Sequence, residues 1–341
     1  MNNTNKKVYF DILNTIACLM VVYFHCNGIF YEYSNTISWK ISVVERCIVY
    51  SAVPIFFMLT GAKLLNYREK YSTKEYAKKR IIRTGIPFLF WNLFYVGLMF
   101  ITGTFKYSIT EFVSAFINSD FQVRYWFFFP LFAIYASIPF LSVFLKLPEH
   151  RKYLWYLVGI SFVISWFLKP ILHLFDIDFN NYLNFPLSDG FLIFSVFGYL
   201  VSTGEWKKKY RILLYIFTFL SEIFVISYTI ISSSKYGSTN QYMVNYHFFP
   251  SALFGASIFV FFRHLIIKNI SEKTEKFLKI LANCNMGVWL THSLAITLVV
   301  KISGLGIDSY FIRFIAPIII YVLCVTGTYI TKKIPLLKFL V

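Results

Sequence analysis

A histidine inside an apolar helix is equipped for acid–base chemistry. Among apolar side chains the imidazole favours its neutral form, which keeps a lone pair able to accept a proton. His25 lies in FDILNTIACLMVVYFHCNGIF, the first long apolar segment. At about 100° per residue, Asn14 falls about 20° from His25 around the helix, Cys18 about 20° on the other side and Asp11 about 40° away. Asp11, Asn14, Cys18 and His25 thus form one polar stripe, which predicts a neighbour other than lipid. His25, Asp11 and Asn14 are the candidate catalytic set, and Cys18 is a minor candidate for a covalent intermediate.

Five other places carry chemistry-bearing residues. In YSTKEYAKKRIIRTGIPFLFW, Lys78, Lys79, Arg80 and Arg83 crowd the start of an apolar run. Arg80 and Arg83 are three apart, share a helix face and suit a phosphate or pyrophosphate, with Lys79 beside them. Plain topological charge would leave the same cluster. Trp126, in RYWFFFPLFAIYASIPFL beside Arg124 and Tyr125, suits either sugar stacking or an interfacial aromatic belt. His292 in NMGVWLTHSLAI and Glu222 in SEIFVISYTI are ionisable groups at membrane depth, which should face inward or toward water. Thr60 and Gly61, closing VPIFFMLTGAKLL, suit close helix packing.

The elements that must position these residues follow from composition. The chain is 57% hydrophobic and 14% charged over 341 residues, with a mean hydropathy of +0.61. That is a polytopic membrane protein. A ruler of about 20 apolar residues predicts ten spans, near 10–30, 43–66, 85–103, 124–145, 153–172, 188–203, 212–232, 247–263, 282–300 and 311–331. The fold class expected is an all-α bundle of about ten transmembrane helices forming one domain over 1–341, with loops near 31–42, 104–123, 173–187 and 233–246 too short for a second. The first span, with Asp11 near its start and no cleavage site after it, is expected to be retained.

Cations set the orientation. With the N-terminus inside, the inner segments hold 24 of the 33 Lys and Arg residues, so both termini are expected to be cytoplasmic. The net charge of +17 then reflects topology and contact with anionic lipid headgroups, not nucleic acid. The five cysteines are odd in number and lack a CxxC pair, so they imply neither a disulfide framework nor a metal cluster.

Together these segments resemble the acyltransferase 3 family, multi-spanning O-acetyltransferases of extracytoplasmic glycans, and in particular the bacterial branch that acts on surface or capsular polysaccharide. The resemblance is carried by Asp11 and His25 in FDILNTIACLMVVYFH, by VPIFFMLTGAKLL with Gly61, by KRIIR and by MGVWLTH ending at His292. YWFFFPLFAIY with Trp126 and FGYL at 197–200 add support, and the similarity runs from about residue 8 to 295 in the family's order. Two positions depart from the pattern: Asn14 stands where the family commonly has arginine eleven residues before the histidine, and Thr60 where it often has serine. An amide supplies no charge, so any donor-holding role of that arginine must be absent or taken over elsewhere.

The resemblance implies transfer of an acetyl or similar group from cytoplasmic acetyl-CoA (acyl-CoA), without a metal, to a hydroxyl of an extracytoplasmic polysaccharide or lipid-linked glycan. His25 would be the general base, Arg80, Arg83 and Lys79 would hold the coenzyme phosphates, and His292, Trp126 and Glu222 would be further pocket residues. Asp11, several turns from His25, is then a helix-start or pore residue more than a triad partner. The chain would lie in the plasma membrane. Two other readings remain open from the residues: a secondary transporter or flippase with the histidines and Glu222 as a proton relay, though no inverted repeat is visible, and a sensor or scaffold without catalysis.

Overall fold

The structure, a computed structural model, describes residues 3–145, 147–183, 190–265 and 270–341. Lys146 and Lys268 of the inner cation count, and the first residues of the 188–203 segment, lie outside these. Among the described residues there is no strand. The helices are α1 (Asn3–Cys26), α2 (Ile37–Val49), α3 (Ala52–Leu64), α4 (Thr73–Arg80), α5 (Ile86–Ile101), α6 (Ile109–Asn118), α7 (Phe128–Phe144), α8 (Arg151–Ser161), α9 (Lys169–Leu174), α10 (Leu192–Thr203), α11 (Lys208–Tyr236), α12 (Phe249–His264), α13 (Glu272–Ser303) and α14 (Ala316–Lys333).

Among the described residues, eight helical stretches are long and apolar enough to cross a membrane: Val8–Cys26, Ile37–Glu69, Thr73–Ile101, Val123–Phe144, Arg151–Leu174, Lys208–Tyr236, Glu272–Ser303 and Phe311–Lys333. They coincide with eight of the ten predicted spans. The other two fall on α10 and α12, of 12 and 16 residues. At 1.5 Å per residue α10 covers only about 18 Å, short of a hydrocarbon core of about 30 Å. It tolerates this because it is mostly buried against α3, α8 and α12, where protein and not lipid surrounds it. The 104–123 loop contains α6, started by a capping box in which Ser108 and Glu111 satisfy each other's backbone N–H.

Prolines shape the long helices. The second span is two helices, because Pro54 has no N–H to offer the Tyr50 carbonyl and the helix resets at Tyr50–Ser51. Three π turns each end two residues before a proline: Ile81–Gly85 before Pro87, Phe162–Leu168 before Pro170 and Phe311–Ile315 before Pro317. A proline ring crowds the carbonyl four residues earlier, and widening the preceding turn relieves it. The first of these turns carries Arg83.

The tightest helix pair is α3 with α10. A Cβ on Gly61 would collide with the Ser195 carbonyl, and one on Gly198 with that of Met58. The Ser195 hydroxyl donates to the Phe57 carbonyl at 2.9 Å across the seam. Small residues that let backbones touch, reinforced by a hydroxyl, replace the hydrophobic drive that is missing between helices in lipid.

Candidate active site

Helices α1 and α13 run parallel, which the rising register of their contacts shows. Asn14 Nδ2 donates to the Ala282 carbonyl at 3.1 Å, Cys18 Sγ lies 3.8 Å from the Asn285 carbonyl, and the His25 and His292 rings meet with centroids 5.1 Å apart. The two intramembrane histidines singled out in the sequence are therefore neighbours. His292 is fully buried, and its Nδ1 lies 3.0 Å from the Val288 carbonyl. A carbonyl only accepts, so Nδ1 carries the proton and the buried, unpartnered Nε2 presents a lone pair. His25 also packs against the edge of Phe24, at 4.9 Å and 85°.

Below this pair, at the end of the bundle where both α1 and α13 start, lies a cavity of about 670 Å³. Among the described residues four cations line it: Arg80, Arg83, Lys332 and Lys338. Arg80 and Arg83 both face it, as the shared-face reading expects. The Arg80 Nε is buried without a partner, and its guanidinium lies 5.4 Å from the Tyr135 ring. Asn14, Thr60 and Asn285 add polar groups to the wall. Asn285 accepts from the Tyr321 hydroxyl at 3.0 Å, which leaves its buried Nδ2 unpartnered. Lys79 is not in this lining: it pairs with Glu75 at 2.7 Å and stands over Tyr71.

Around His25 itself there is a second, much smaller cavity of about 20 Å³, room for about one water. It is lined by His25, Phe24, Arg124, Trp126, Tyr246 and Trp289, among others. Trp289 lines both cavities and is stacked on Phe127 at 4.3 Å, so one indole wall separates the cation-rimmed chamber from the imidazole. Trp126 stacks on Tyr246 at 5.6 Å, and Tyr246 on Tyr50 at 4.0 Å, which makes Trp126 part of an internal aromatic stack and not a lipid-facing belt. Burial holds the Tyr246 phenol far above the usual range, so it stays a neutral donor.

Two sequence candidates stand apart. Asp11 is on the His25 stripe but fourteen residues, about 21 Å, down the axis, where the charges acting on it are Lys63, Lys279 and Glu275. Glu222 lines a separate lateral groove of about 290 Å³ with Tyr215 and Thr218. Other residues at the two cavities carry no mark in the sequence pattern. Lys332 and Lys338 join the cavity only because α14 folds back beside α13. Arg46 and Arg124 flank His25, and a buried ion pair joins Glu45 to Arg313 at 3.4 Å. Arg46 is the exception, since Glu45 and Arg46 are adjacent charges within a predicted span.

Among the described residues no group of three His, Cys, Asp or Glu is arranged to hold a metal ion. A family model described as an acyltransferase domain matches residues 7–332 of the chain. No curated protein and no solved structure shows significant similarity to it.

Proposed function

The chain belongs to the acyltransferase 3 family, and we propose that it is a membrane O-acyltransferase moving an acetyl or similar group from cytoplasmic acyl-CoA to a hydroxyl of an extracytoplasmic polysaccharide or lipid-linked glycan. The observation that carries this reading is that His25 lines the smaller of two cavities that share the Trp289 wall, the larger of them rimmed with cations. The positive-inside distribution supports a reading in which the cationic mouth opens to the cytoplasm and the His25 vestibule faces the outer side.

In this scheme the coenzyme phosphates bind Arg80, Arg83, Lys332 and Lys338, guanidinium forks and ammonium point charges suited to such oxygens. Lys332 and Lys338 supply the charge that Asn14 lacks. The thioester arm passes Asn14 and Asn285 and ends beside Trp289. An acceptor hydroxyl enters from the opposite end and gives its proton to the neutral His25. Its oxygen attacks the thioester carbonyl, and the tetrahedral intermediate collapses with cleavage of the C–S bond. The proton on His25 passes to the leaving thiolate, which regenerates the neutral imidazole and balances the step. His292, whose lone pair faces inward, orients the His25 ring and receives no net proton in the cycle.

The test is coenzyme release by the purified protein in lipid nanodiscs, with and without oligosaccharide acceptors, alongside proton NMR of glycan O-acetyl groups in cells with and without the chain. Transfer that His25→Ala abolishes supports the reading. Solute flux without coenzyme dependence, or transfer that survives His25→Ala, would overturn it.

A further inference from the structure

Charge does not balance on the His25 side of Trp289. Among the described residues three guanidiniums lie there: Arg46 on α2, Arg124 at the start of the fourth span and Arg313 before α14. Arg313 has a counter-ion, since its Nη2 lies 3.4 Å from Glu45 Oε2 and its Nη1 donates to Ser38 Oγ at 3.0 Å. Arg46 has none. It is 1% exposed, and its guanidinium lies over the rings of Phe24 at 3.9 Å, Phe30 at 4.5 Å and Tyr31 at 4.7 Å. Its Nη2 reaches the Asn27 carbonyl at 3.4 Å, while Nε and Nη1 meet no acceptor. Tyr31, Tyr50 and Tyr246 surround it with phenols, Tyr31 as a hydrogen-bond partner, and Glu45, already paired with Arg313, acts on it from a distance. Arg124, in the wall of the His25 cavity, enters no ion pair among the described residues.

Arg46 is the costlier of these two cations, because it is fully buried whereas Arg124 is half-buried. An isolated buried charge loses several kcal/mol of hydration, which aromatic faces recover only in part. An anion carried by the substrate would supply the missing counter-charge. Trp126, in the wall of the same cavity, is an aromatic side chain of the kind that packs on a sugar ring. We infer that the acceptor is an acidic glycan, carrying a carboxylate or a phosphate close to the reacting hydroxyl, with Arg124 pairing directly with that anion and Arg46 acting as a positioning charge from behind Phe24. The inference rests on the acyltransferase reading for the hydroxyl and its transfer. The anion requirement itself is a binding property and is testable alone.

The experiment uses three oligosaccharides matched in length and linkage, one neutral, one bearing a uronate and one a phosphate monoester, with the full chain in nanodiscs and acetyl-CoA as donor. At least one anionic acceptor is expected to exceed the neutral one about tenfold in kcat/KM, mainly through KM, and added salt should erode the gap. The gap should close to within about twofold in Arg124→Gln and reopen in part in Arg124→Lys. The uronate and phosphate arms show which anion is read. Equal use of all three acceptors, or a preference that Arg124→Gln leaves intact, overturns the inference. Binding of the same oligosaccharides to His25→Ala protein by calorimetry, without donor, separates it from the transferase reading. Charge-selective, Arg124-dependent binding there upholds it even if no acetyl transfer is found, and charge-blind or absent binding by the folded protein overturns it. Because Arg46 is a core residue, Arg46→Gln is measured with its melting curve, and a folded variant is expected to lose about half or more of the charge preference.

Discussion

The two cavities on either side of Trp289 differ in almost every physical respect. The lower is wide, about 670 Å³, open to one end of the bundle, and rimmed by cations from α4, the first π turn, α14 and the segment after it. The upper is about 20 Å³, aromatic, and closed around an imidazole pair. A large charged chamber suits a bulky anionic cargo held at a distance from the chemistry, whereas a water-sized aromatic pocket suits a step from which bulk water must be kept. In the proposed reaction a single side chain would divide donor binding from reactivity, with the reactive group reaching past it.

The largest effect expected is on the small side. His25→Ala should cut transfer about 10²–10⁴-fold while leaving KM for the donor nearly unchanged, as measured by coenzyme release against donor concentration. A comparable fall in donor affinity would mean that the two cavities are not separate in function. Next is the seam that holds them together. Gly61→Ala forces a methyl group into the Ser195 carbonyl, an overpacking that typically costs about 1–3 kcal/mol, and should lower the melting temperature of the detergent-solubilised protein. An unchanged melting curve would show that α3 and α10 can separate freely. On the large side, Arg83→Gln should raise KM for acetyl-CoA about tenfold with kcat nearly constant, the loss of one charge-assisted contact. A fall in kcat with KM intact would move Arg83 from donor binding to the reaction itself.

What could be read in the sequence followed the cost of misplacing each residue. His25 and His292 stood out because an imidazole among apolar residues demands an inward partner, and each turned out to face the other. Arg80 and Arg83 stood out by spacing, and the π turn between α4 and α5 keeps both toward the chamber. Asp11 shows the limit of the same reasoning. An angular stripe records direction around a helix but not distance along it, and fourteen residues carry Asp11 away from the chemistry. Lys332, Lys338 and Arg124 could not be picked out, because their roles depend on which helices are neighbours, and periodicity does not encode that. Hydropathy alone does not resolve how α10 is housed, for a related reason. An apolar run measures transfer out of water and does not distinguish burial in protein from burial in lipid.

The smallest effects expected test whether the two cavities exhaust the functional polar groups. Lys79, paired with Glu75 at the surface, should tolerate Lys79→Ala with less than about 0.5 kcal/mol of change in either donor binding or stability. Glu222 is the sharper case. It is buried, its Oε2 has no partner, and its groove communicates with neither cavity through a shared lining residue. A proton-coupled carrier would need such a carboxyl to change charge during its cycle, and Glu222→Gln would then stop flux. An acyltransferase working across Trp289 has no use for it, because the proton that His25 takes from the hydroxyl leaves with the thiol. Glu222→Gln should therefore keep acetyl transfer within about twofold of the parent chain, and the neutral amide, which keeps the shape of the carboxyl, makes any larger fall attributable to the lost titration rather than to packing.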